Sequence, residues 1–249
     1  MNTVLVTGCS SGFGLDIARH FLDQGWKVVA TMRRPDASVL PASENLRILP
    51  LDVRSDESVR QAIDAAGPID VLVNNAGIGW LNALEGTPIG IARDIFETNT
   101  IGTMRVMQAM LPQFRERRSG TIVNVTSSVT LKPLPLLSVY TASKAAVNAF
   151  SESVALELEP FGVAVRIVLP GQAPDTSFGK SAFALIQGAG GFPEAYAGFT
   201  QATIARMREA GGPLTRPSDV VEAVWRAATD SDCPMRLPAG PDAVALMRT

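Results

Sequence analysis

A tyrosine and a lysine stand one helical turn apart in the stretch SVYTASKAAV, at residues 138–147. Tyr140 is one of two tyrosines in the chain, and Lys144 follows it by four positions among small or β-branched neighbours. Residues four apart share one face of a helix, so the ammonium can lie beside the phenol. A phenol has an ordinary pKa of about 10, and a nearby positive charge favours its deprotonated form. The pair could therefore serve acid–base catalysis, although many pairs of this kind are solvated surface residues.

Histidine chemistry is nearly excluded, because His20 is the single histidine of the chain. It falls inside the first predicted helix, where we expect a surface or packing role. The two cysteines, Cys9 and Cys233, are too few for a disulfide framework and lack metal-binding spacing. We therefore expect neither a Ser–His triad nor a metal site, and acid–base chemistry would need another residue type.

The composition limits which partners are expected. The chain has 249 residues, 46% of them hydrophobic, and a formal net charge of −2. This charge offers no basic surface to nucleic acid or to an anionic membrane. The N-terminal MNTVLVTG lacks the basic and apolar regions of a signal peptide, and every apolar run falls short of the ~18 residues of a membrane span. We expect a cytoplasmic protein that acts on a small molecule.

Continuous apolar, β-branched runs alternate with helical patterns along most of the chain. The predicted strands are 3–7, 27–32, 46–51, 70–74, 120–127 and 162–170. The predicted helices are about 12–24, 55–65, 90–116, 140–160 and 217–229. Such alternation is typical of an α/β, Rossmann-like fold, in which a doubly wound parallel sheet of about seven strands carries helices on both faces. A single domain over residues 1–249 is the economical interpretation.

The segment 172–200 departs from this alternation. It is rich in glycine and small residues, yet it contains Phe178, Phe183, Phe192 and Phe199. A long segment of this kind inside a compact domain is usually a lid or a binding loop. A pair of short helices packed on their own core is an equally good interpretation.

A glycine-rich turn, TGCSSGFG at residues 7–14, follows the first predicted strand and opens the first predicted helix. Gly8 permits a tight turn, Gly12 lets the backbone approach a pyrophosphate, and Gly14 permits close packing of helix on strand. The helix N-terminus offers unpaired N–H groups to phosphate. These features predict dinucleotide binding by Gly8, Ser10, Ser11, Gly12, Phe13 and Gly14.

With its GxxxGxG spacing and the preceding threonine, this turn resembles that of the short-chain dehydrogenase/reductase family. Further motifs agree in family order up to about residue 171: LDV at 51–53, NNAG at 74–77, and Ser127 thirteen residues before Tyr140. Asn99, in FETNTIG, matches the family asparagine. The resemblance implies a catalytic tetrad of Asn99, Ser127, Tyr140 and Lys144.

The resemblance also implies a role for each member of the tetrad. Tyr140 would be the general acid in reduction and the base in oxidation, and Ser127 would bind the carbonyl oxygen. Lys144 would bind the nicotinamide ribose and lower the pKa of the phenol. Asn99 would hold a water that connects Lys144 to solvent.

The nucleotide site is implied by the same family pattern. Asp52 would accept a hydrogen bond from the adenine amine. The further expected cofactor contacts are Val53, Asn75, Ala76, Gly77, Tyr140, Lys144, Pro170 and Gly171. Thr176 follows Gly171 one residue later than the family threonine that touches the nicotinamide carboxamide, so that contact is not assigned.

The second predicted strand ends in ATMRRP. Met32 holds the place where NAD-binding members carry an aspartate for the ribose 2′-hydroxyl. Arg33 and Arg34 follow, and a guanidinium there can pair with a 2′-phosphate. The segment therefore predicts NADP(H), with Arg33 as the principal contact.

Apolar segments are expected to border the substrate pocket. The candidate substrate contacts are Trp80, Val129, Leu134, Phe178 and Phe183. The motifs look like the hydroxysteroid and retinol dehydrogenase branch, which implies a bulky apolar ketone or secondary alcohol.

A non-catalytic NADP-sensing regulator on the same scaffold is the alternative function, but such a protein would typically lack the tyrosine or the lysine. A sugar-nucleotide epimerase would carry a GxxGxxG turn and a larger C-terminal domain.

Two predicted helical stretches, 103–114 and 145–158, are apolar on more than one side. A helix that is apolar all round needs burial all round. Family members commonly pair these helices across a two-fold axis, so the resemblance implies a homodimer or homotetramer.

Overall fold

The computed structural model describes residues 1–174, 176–209 and 212–248. Within them, parallel strands form one seven-stranded sheet in the order β3-β2-β1-β4-β5-β6-β7. The strands are β1 (Thr3–Thr7), β2 (Lys27–Met32), β3 (Leu46–Pro50), β4 (Val71–Asn74), β5 (Gly120–Val125), β6 (Val163–Pro170) and β7 (Arg236–Ala239). The predicted parallel sheet is confirmed, and its first six strands lie where the apolar runs predicted them.

Helices connect the strands and cover both faces of the sheet. They are α1 (Gly12–Asp23), α2 (Asp56–Ala66), α3 (Ile89–Phe96), α4 (Gly102–Arg117), α5 (Ser138–Leu158), α6 (Ser177–Gly188), α7 (Ala197–Glu209), α8 (Pro217–Thr229) and α9 (Pro241–Met247). A π-helical turn, Glu97–Ile101, joins α3 to α4. The predicted helix at 90–116 is thus one helical segment with a π turn in its middle. Among the helices described, none is long and apolar enough to cross a membrane.

The two faces of the sheet explain why the strands are continuously apolar. Successive side chains of a strand point to opposite faces. In β1, Val4 and Val6 belong to the core cluster beneath α1 and α8, whereas Leu5 belongs to the cluster beneath α2 and α4. All three are fully buried. A strand in the middle of such a sheet therefore has no solvent face on which a polar residue would be favoured.

The strand β7 was not among the predicted runs. It has only four residues, RLPA, and it lies at the edge of the sheet beside β6. Pro238 cannot donate a ladder hydrogen bond, and proline in sheets is largely confined to edge strands. Because the strand is short and contains a proline, its sequence resembles that of a loop.

The helix α1 carries His20, whose packing role is confirmed. Its ring lies edge-on to Trp225 of α8, with centroids 5.2 Å apart. The segment 172–200 contains α6 and the start of α7. Ile186 of α6 packs in one cluster with Trp80 and Tyr140, so α6 does not pack on a separate core of its own.

Candidate active site

The carboxyl ends of neighbouring parallel strands meet at one edge of a sheet, where ligands bind in open α/β folds. Three of the predicted motifs follow such ends directly: Gly8 follows β1, Asn75 follows β4 and Gly171 follows β6. Ser127 lies two residues beyond the end of β5. The sheet therefore brings together motifs that are up to about 160 residues apart in the chain.

The glycine turn is held against the segment that follows β4. Gly8 has φ +76° and Gly12 has φ +59°, in the left-handed region that favours glycine. A Cβ on Gly8 would lie 2.9 Å from the Cα of Ala76. The backbone N–H groups of Asn75 and Ala76 donate to the Thr7 hydroxyl at 3.0 and 3.1 Å. Thr7 and the NNAG motif thus fix the turn that opens α1.

The glycine at position 14 is required by close packing. Any Cβ there would overlap the carbonyl oxygen of Gly8 and crowd the side-chain amide of Asn75. The amide of Asn75 donates to the carbonyl of Thr7 at 3.0 Å. The start of α1 therefore lies against the glycine turn, where its N–H groups can meet a phosphate.

The end of β2 lies beside this turn, because the Cys9 N–H donates to the Thr31 carbonyl at 2.9 Å. Met32 is buried in the core, whereas Arg33 and Arg34 are exposed. Neither guanidinium forms an ion pair with any residue in the described ranges. Two exposed arginines thus follow the strand end that is bonded to the glycine turn.

Asp52 lies next to the same strand end. The Leu51 N–H donates to the carbonyl of Met32 at 3.0 Å, which sets the position of the following residue. The Asp52 carboxylate accepts the Arg54 N–H at 3.0 Å. Val53 is buried against Gly102 at the start of α4. Asp52 therefore directly follows a residue whose backbone is bonded to the strand end that carries Arg33.

Ser127, Tyr140 and Lys144 are buried together, with exposed fractions of 8%, 7% and 5%. Burial raises the pKa of Tyr140 to about 12, and the hydrogen bond with Ser127 opposes that rise. Burial lowers the pKa of Lys144 to about 8. The Lys144 ammonium donates to the Val125 carbonyl at 3.0 Å. A phenol, a hydroxyl and an ammonium therefore share one desolvated site.

The direction of the tyrosine shift corrects an expectation from the sequence. We expected Lys144 to lower the pKa of the phenol. In the structure, desolvation of the phenolate is the larger effect, and the pKa of Tyr140 rises. Burial depends on tertiary packing, which the i, i+4 spacing does not contain.

Asn99 lies in the π turn and is fully buried. Its side-chain oxygen accepts the Ile78 N–H at 2.8 Å, and its amide group donates to the Ile78 carbonyl at 2.9 Å and to the Ser143 hydroxyl at 3.1 Å. A Cβ on Gly77 would lie 3.2 Å from the Asn99 oxygen and 3.4 Å from the Lys144 nitrogen. The structure therefore brings Asn99 to Lys144 and uses its amide to join α5 to the segment after β4. Single-turn π insertions are frequent at functional sites.

Gly171 introduces two residues that the sequence analysis did not identify, Thr215 and Asp242. A Cβ on Gly171 would overlap both side chains. The Gln172 N–H donates to Asp242 at 2.7 Å, and the Thr215 hydroxyl donates to the same carboxylate at 2.5 Å. Asp242 follows a Gly-Pro pair in the first turn of α9. This helix-start pattern is the only feature of the local sequence that could have drawn attention to Asp242. These contacts fix the chain where it leaves β6.

The helix α6 covers the tyrosine. The ring of Phe178 lies against that of Tyr140. A Cβ on Gly79 would be 2.6 Å from the Phe178 ring. Phe183 projects from α6 and is 57% exposed. The segment after β4 is tied to this region by Asn82, whose amide donates to the Gly191 carbonyl at 3.0 Å.

The other candidate substrate residues lie in two different environments. Trp80 is fully buried with Tyr140 in one core cluster, and its indole N–H donates to the Thr87 hydroxyl at 2.9 Å. It forms the wall behind the tyrosine. Val129 and Leu134 are partly buried and line a shallow depression of about 440 Å³ beside the N-terminal turn of α5.

Comparison with known proteins agrees with this arrangement. A family model described as short chain dehydrogenase matches residues 2–184. Retinol dehydrogenase 8 from Homo sapiens is 35% identical over 248 residues, which cover 94% of this chain and 80% of that protein. The 17-beta-hydroxysteroid dehydrogenase type 1 from Mus musculus is 38% identical over 202 residues, or 76% of this chain and 58% of that protein. Retinol dehydrogenase 8 from Bos taurus is 40% identical over 190 residues, 72% of this chain and 61% of that protein. The chain thus spans less than two thirds of some relatives.

Solved structures share the whole fold. A short-chain dehydrogenase from Streptomyces avermitilis superposes with a TM-score of 0.83 at 33% identity, covering 100% of this chain and 92% of that one. A short chain dehydrogenase from Burkholderia cenocepacia in complex with NADP gives a TM-score of 0.79 at 26% identity, covering 99% and 91%. From the matched residues, the motif positions and the fold, this chain belongs to the short-chain dehydrogenase family of oxidoreductases.

Proposed function

We propose that this protein is an NADP(H)-dependent oxidoreductase that interconverts a bulky apolar ketone and its secondary alcohol. The observation that carries the proposal is the burial of Ser127, Tyr140 and Lys144 in one site beside the glycine turn. Burial of an ammonium and a phenol costs free energy, and perturbed groups of this kind cluster at functional sites.

The proposed reduction adds a hydride to the carbonyl carbon and a proton to its oxygen. The nicotinamide supplies the hydride when the cofactor is bound. Ser127 donates a hydrogen bond to the carbonyl oxygen, and the hydroxyl of Tyr140 gives the proton. With a pKa of about 12, Tyr140 holds its proton at neutral pH and is ready to act as the acid.

Lys144 serves the same step through its charge. The proton lost by Tyr140 leaves a phenolate, which a neighbouring ammonium stabilises. The lowered pKa of Lys144, about 8, lets the ammonium pass on a proton near neutral pH. We assign the water that links Lys144 to solvent to Asn99, which lies beside it. In the oxidation direction the steps reverse, and Tyr140 acts as the base.

The cofactor is NADP(H) in this proposal. Arg33 and Arg34 are exposed beside the glycine turn, and Met32 leaves no carboxylate to bind a ribose 2′-hydroxyl. A guanidinium supplies both the charge and the paired donors that a 2′-phosphate requires. The Burkholderia relative, whose structure was solved with NADP, supports the choice.

The substrate class rests on the apolar side chains around Tyr140. Phe178 lies on the tyrosine ring, and Phe183 extends the apolar surface of α6. We propose that the segment 172–200 acts as a lid over an apolar substrate. The names of the relatives, a retinol dehydrogenase and a 17-beta-hydroxysteroid dehydrogenase, support a substrate of this bulk.

We further propose a cytoplasmic homodimer or homotetramer that pairs α4 and α5. Leu156 on α5 is 72% exposed and Ile101 beside α4 is 41% exposed, so both offer apolar surface to a second copy. Cys9 and Cys233 are both unpaired, which is typical of a reducing compartment.

A carbonyl panel tests the proposed activity. The purified protein is incubated with NADPH or NADH and with oestrone, 3-ketodihydrosphingosine, all-trans-retinal or a small ketone such as acetone. We expect oxidation of NADPH with at least one bulky ketone, and far slower turnover with acetone or with NADH. Reduction of retinal alone would overturn the ketone assignment, and no turnover with any carbonyl would overturn the activity.

A further inference from the structure

The loop that carries Ser127 is held to α5 at two points on either side of this serine. Before it, the ammonium of Lys144 donates to the Val125 carbonyl at 3.0 Å. After it, the side-chain amide of Asn148 donates to the Thr130 hydroxyl at 3.0 Å. Tyr140 projects from the same helix, so these two contacts determine where the serine lies relative to the phenol.

The second contact ends on the serine itself. The Thr130 hydroxyl, which accepts from Asn148, donates in turn to the backbone carbonyl of Ser127 at 2.9 Å. Asn148 is 4% exposed and follows Lys144 by four positions and Tyr140 by eight, on one stripe of α5. The helix that carries the phenol therefore reaches the backbone of the serine through two directed hydrogen bonds.

An asparagine at position 148 carries a free-energy penalty. Its side-chain oxygen is buried and has no hydrogen-bond partner among the residues described. A buried polar atom without a partner destabilises the fold, and a leucine of similar size would avoid that penalty. The presence of an amide at this position is explained if its donor group has a role that an apolar side chain cannot perform.

We propose that Asn148 and Thr130 are positioning residues, which fix the Ser127 hydroxyl at the distance from Tyr140 that carbonyl reduction requires. This inference rests on the proposed function, since it concerns the geometry of the same reaction. In the proposed function Lys144 also binds the cofactor ribose. The role proposed for Asn148 and Thr130 involves no contact with substrate or cofactor. Small misplacements of catalytic groups are costly, on the order of 10²-fold in rate for about 1 Å.

Three variants of matched shape test the chain of contacts. Thr130→Val and Asn148→Leu each remove a hydrogen-bonding group with little change in volume, and Thr130→Ser keeps the hydroxyl. Activity is measured with NADPH and the best carbonyl of the panel of oestrone, 3-ketodihydrosphingosine and all-trans-retinal. We expect the first two variants to lower kcat by about 10-fold to 100-fold with KM and the NADPH Kd little changed. Thr130→Ser should retain most of the rate.

Thr141→Val is the control for loss of a threonine hydroxyl from this region. Its hydroxyl oxygen is also buried but has no partner among the residues described, so kcat should stay near the wild-type value. Melting temperatures of all variants report any general loss of stability. A Thr141→Val enzyme as slow as Thr130→Val would overturn the positioning role.

A double-mutant cycle separates this inference from the proposed function. If Thr130 acts through Ser127, then Thr130→Val should slow a Ser127→Ala enzyme far less than it slows the wild type. An equal slowing in both backgrounds overturns the positioning role and leaves the proposed function intact. Wild-type rates in Ser127→Ala and Tyr140→Phe would instead remove the proposed function, and the positioning role with it.

Discussion

The phenyl ring of Phe178 lies against the phenol ring of Tyr140, with centroids 5.8 Å apart and planes inclined by 56°. Phe178 belongs to α6 and Tyr140 to α5, so this contact joins the proposed lid to the proposed proton donor. Phe178 nevertheless remains 40% exposed. A ring that contacts the tyrosine and is still partly exposed can form part of the wall of a substrate pocket.

Phe178→Ala should weaken the binding of a bulky apolar ketone. Loss of one apolar contact in a pocket costs about 1–3 kcal/mol, so KM should rise by roughly 10-fold or more while the KM for acetone changes little. Phe161→Ala is the matched control, since that ring lies in the turn before β6, outside the segment 172–200. Steady-state kinetics with both ketones checks the expectation, and equal effects for the two substrates would contradict a role in the pocket.

Arg33→Ala should change the cofactor preference. Removal of one charge partner of a 2′-phosphate should raise the Kd for NADPH by about 10-fold or more and leave that for NADH nearly unchanged. Arg60→Ala removes an exposed arginine of α2 that pairs with Glu57, away from the glycine turn, and controls for the loss of positive charge. Fluorescence titration measures both cofactors. An equal loss of affinity for NADPH and NADH would contradict the assignment.

Lys144 should make the free energy of unfolding rise at high pH, and Lys144→Met should remove that rise while it abolishes activity. Burial lowers the pKa of Lys144 from 10.5 to about 8, which corresponds to a penalty on the order of 3 kcal/mol for keeping it charged at neutral pH. In the wild type this penalty is fully present below pH 8, and stability from Lys144 rises as the pH increases from about 8 to 10.5. Chemical denaturation at pH 7 and pH 10 measures the effect. A Lys144→Met variant whose stability still rises between pH 7 and pH 10 as it does in the wild type would contradict this expectation, and Lys27→Met, at an exposed position, is the control.

Tyr140 has the opposite effect on stability at high pH. Its pKa is raised from 10.0 to about 12, so the native state holds a proton that the unfolded chain releases between those values. Stability from this group should therefore fall as the pH rises from about 10 to 12, and Tyr140→Phe should remove that fall. Denaturation midpoints of both proteins across this range check the sign.

Leu156→Glu should dissociate the proposed oligomer. This leucine is 72% exposed on α5, and a carboxylate there would face its counterpart or an apolar surface across the two-fold axis. Leu84→Glu makes the same change at a site 67% exposed that lies outside α4 and α5. Light scattering at micromolar concentration gives the masses. A monomeric wild-type protein would contradict the assembly.

The parts of the fold that depend on local chemistry can be predicted from the sequence. The central residues VLV of the β1 run TVLVT are apolar because both faces of the strand are buried, so the strand can be identified before the fold is known. Gly8 and Gly12 have positive φ angles, and a Cβ on Gly14 would overlap the carbonyl oxygen of Gly8, so each of the three positions favours glycine for steric reasons.

Other parts of the site depend on packing and had no local signal. Asn99 lies in the π turn at Glu97–Ile101, which contains about one more residue than an α-helical turn. The local sequence FETNTIG does not predict this turn. The raised pKa of Tyr140 comes from burial by distant segments, including the helix α6. Trp80, expected at the pocket surface, is enclosed because its indole N–H finds a buried partner in Thr87.

The central claim is that Tyr140 transfers the proton, and Tyr140→Phe tests it most directly. The variant keeps the ring and its contact with Phe178 and loses only the hydroxyl. With NADPH and the best ketone of the panel, we predict normal folding, retained NADPH binding and a kcat at least about 10²-fold to 10⁴-fold lower. Tyr196→Phe, the same change at the other tyrosine, should cost far less. A folded Tyr140→Phe enzyme that reduces its ketone at nearly the wild-type rate would contradict the mechanism.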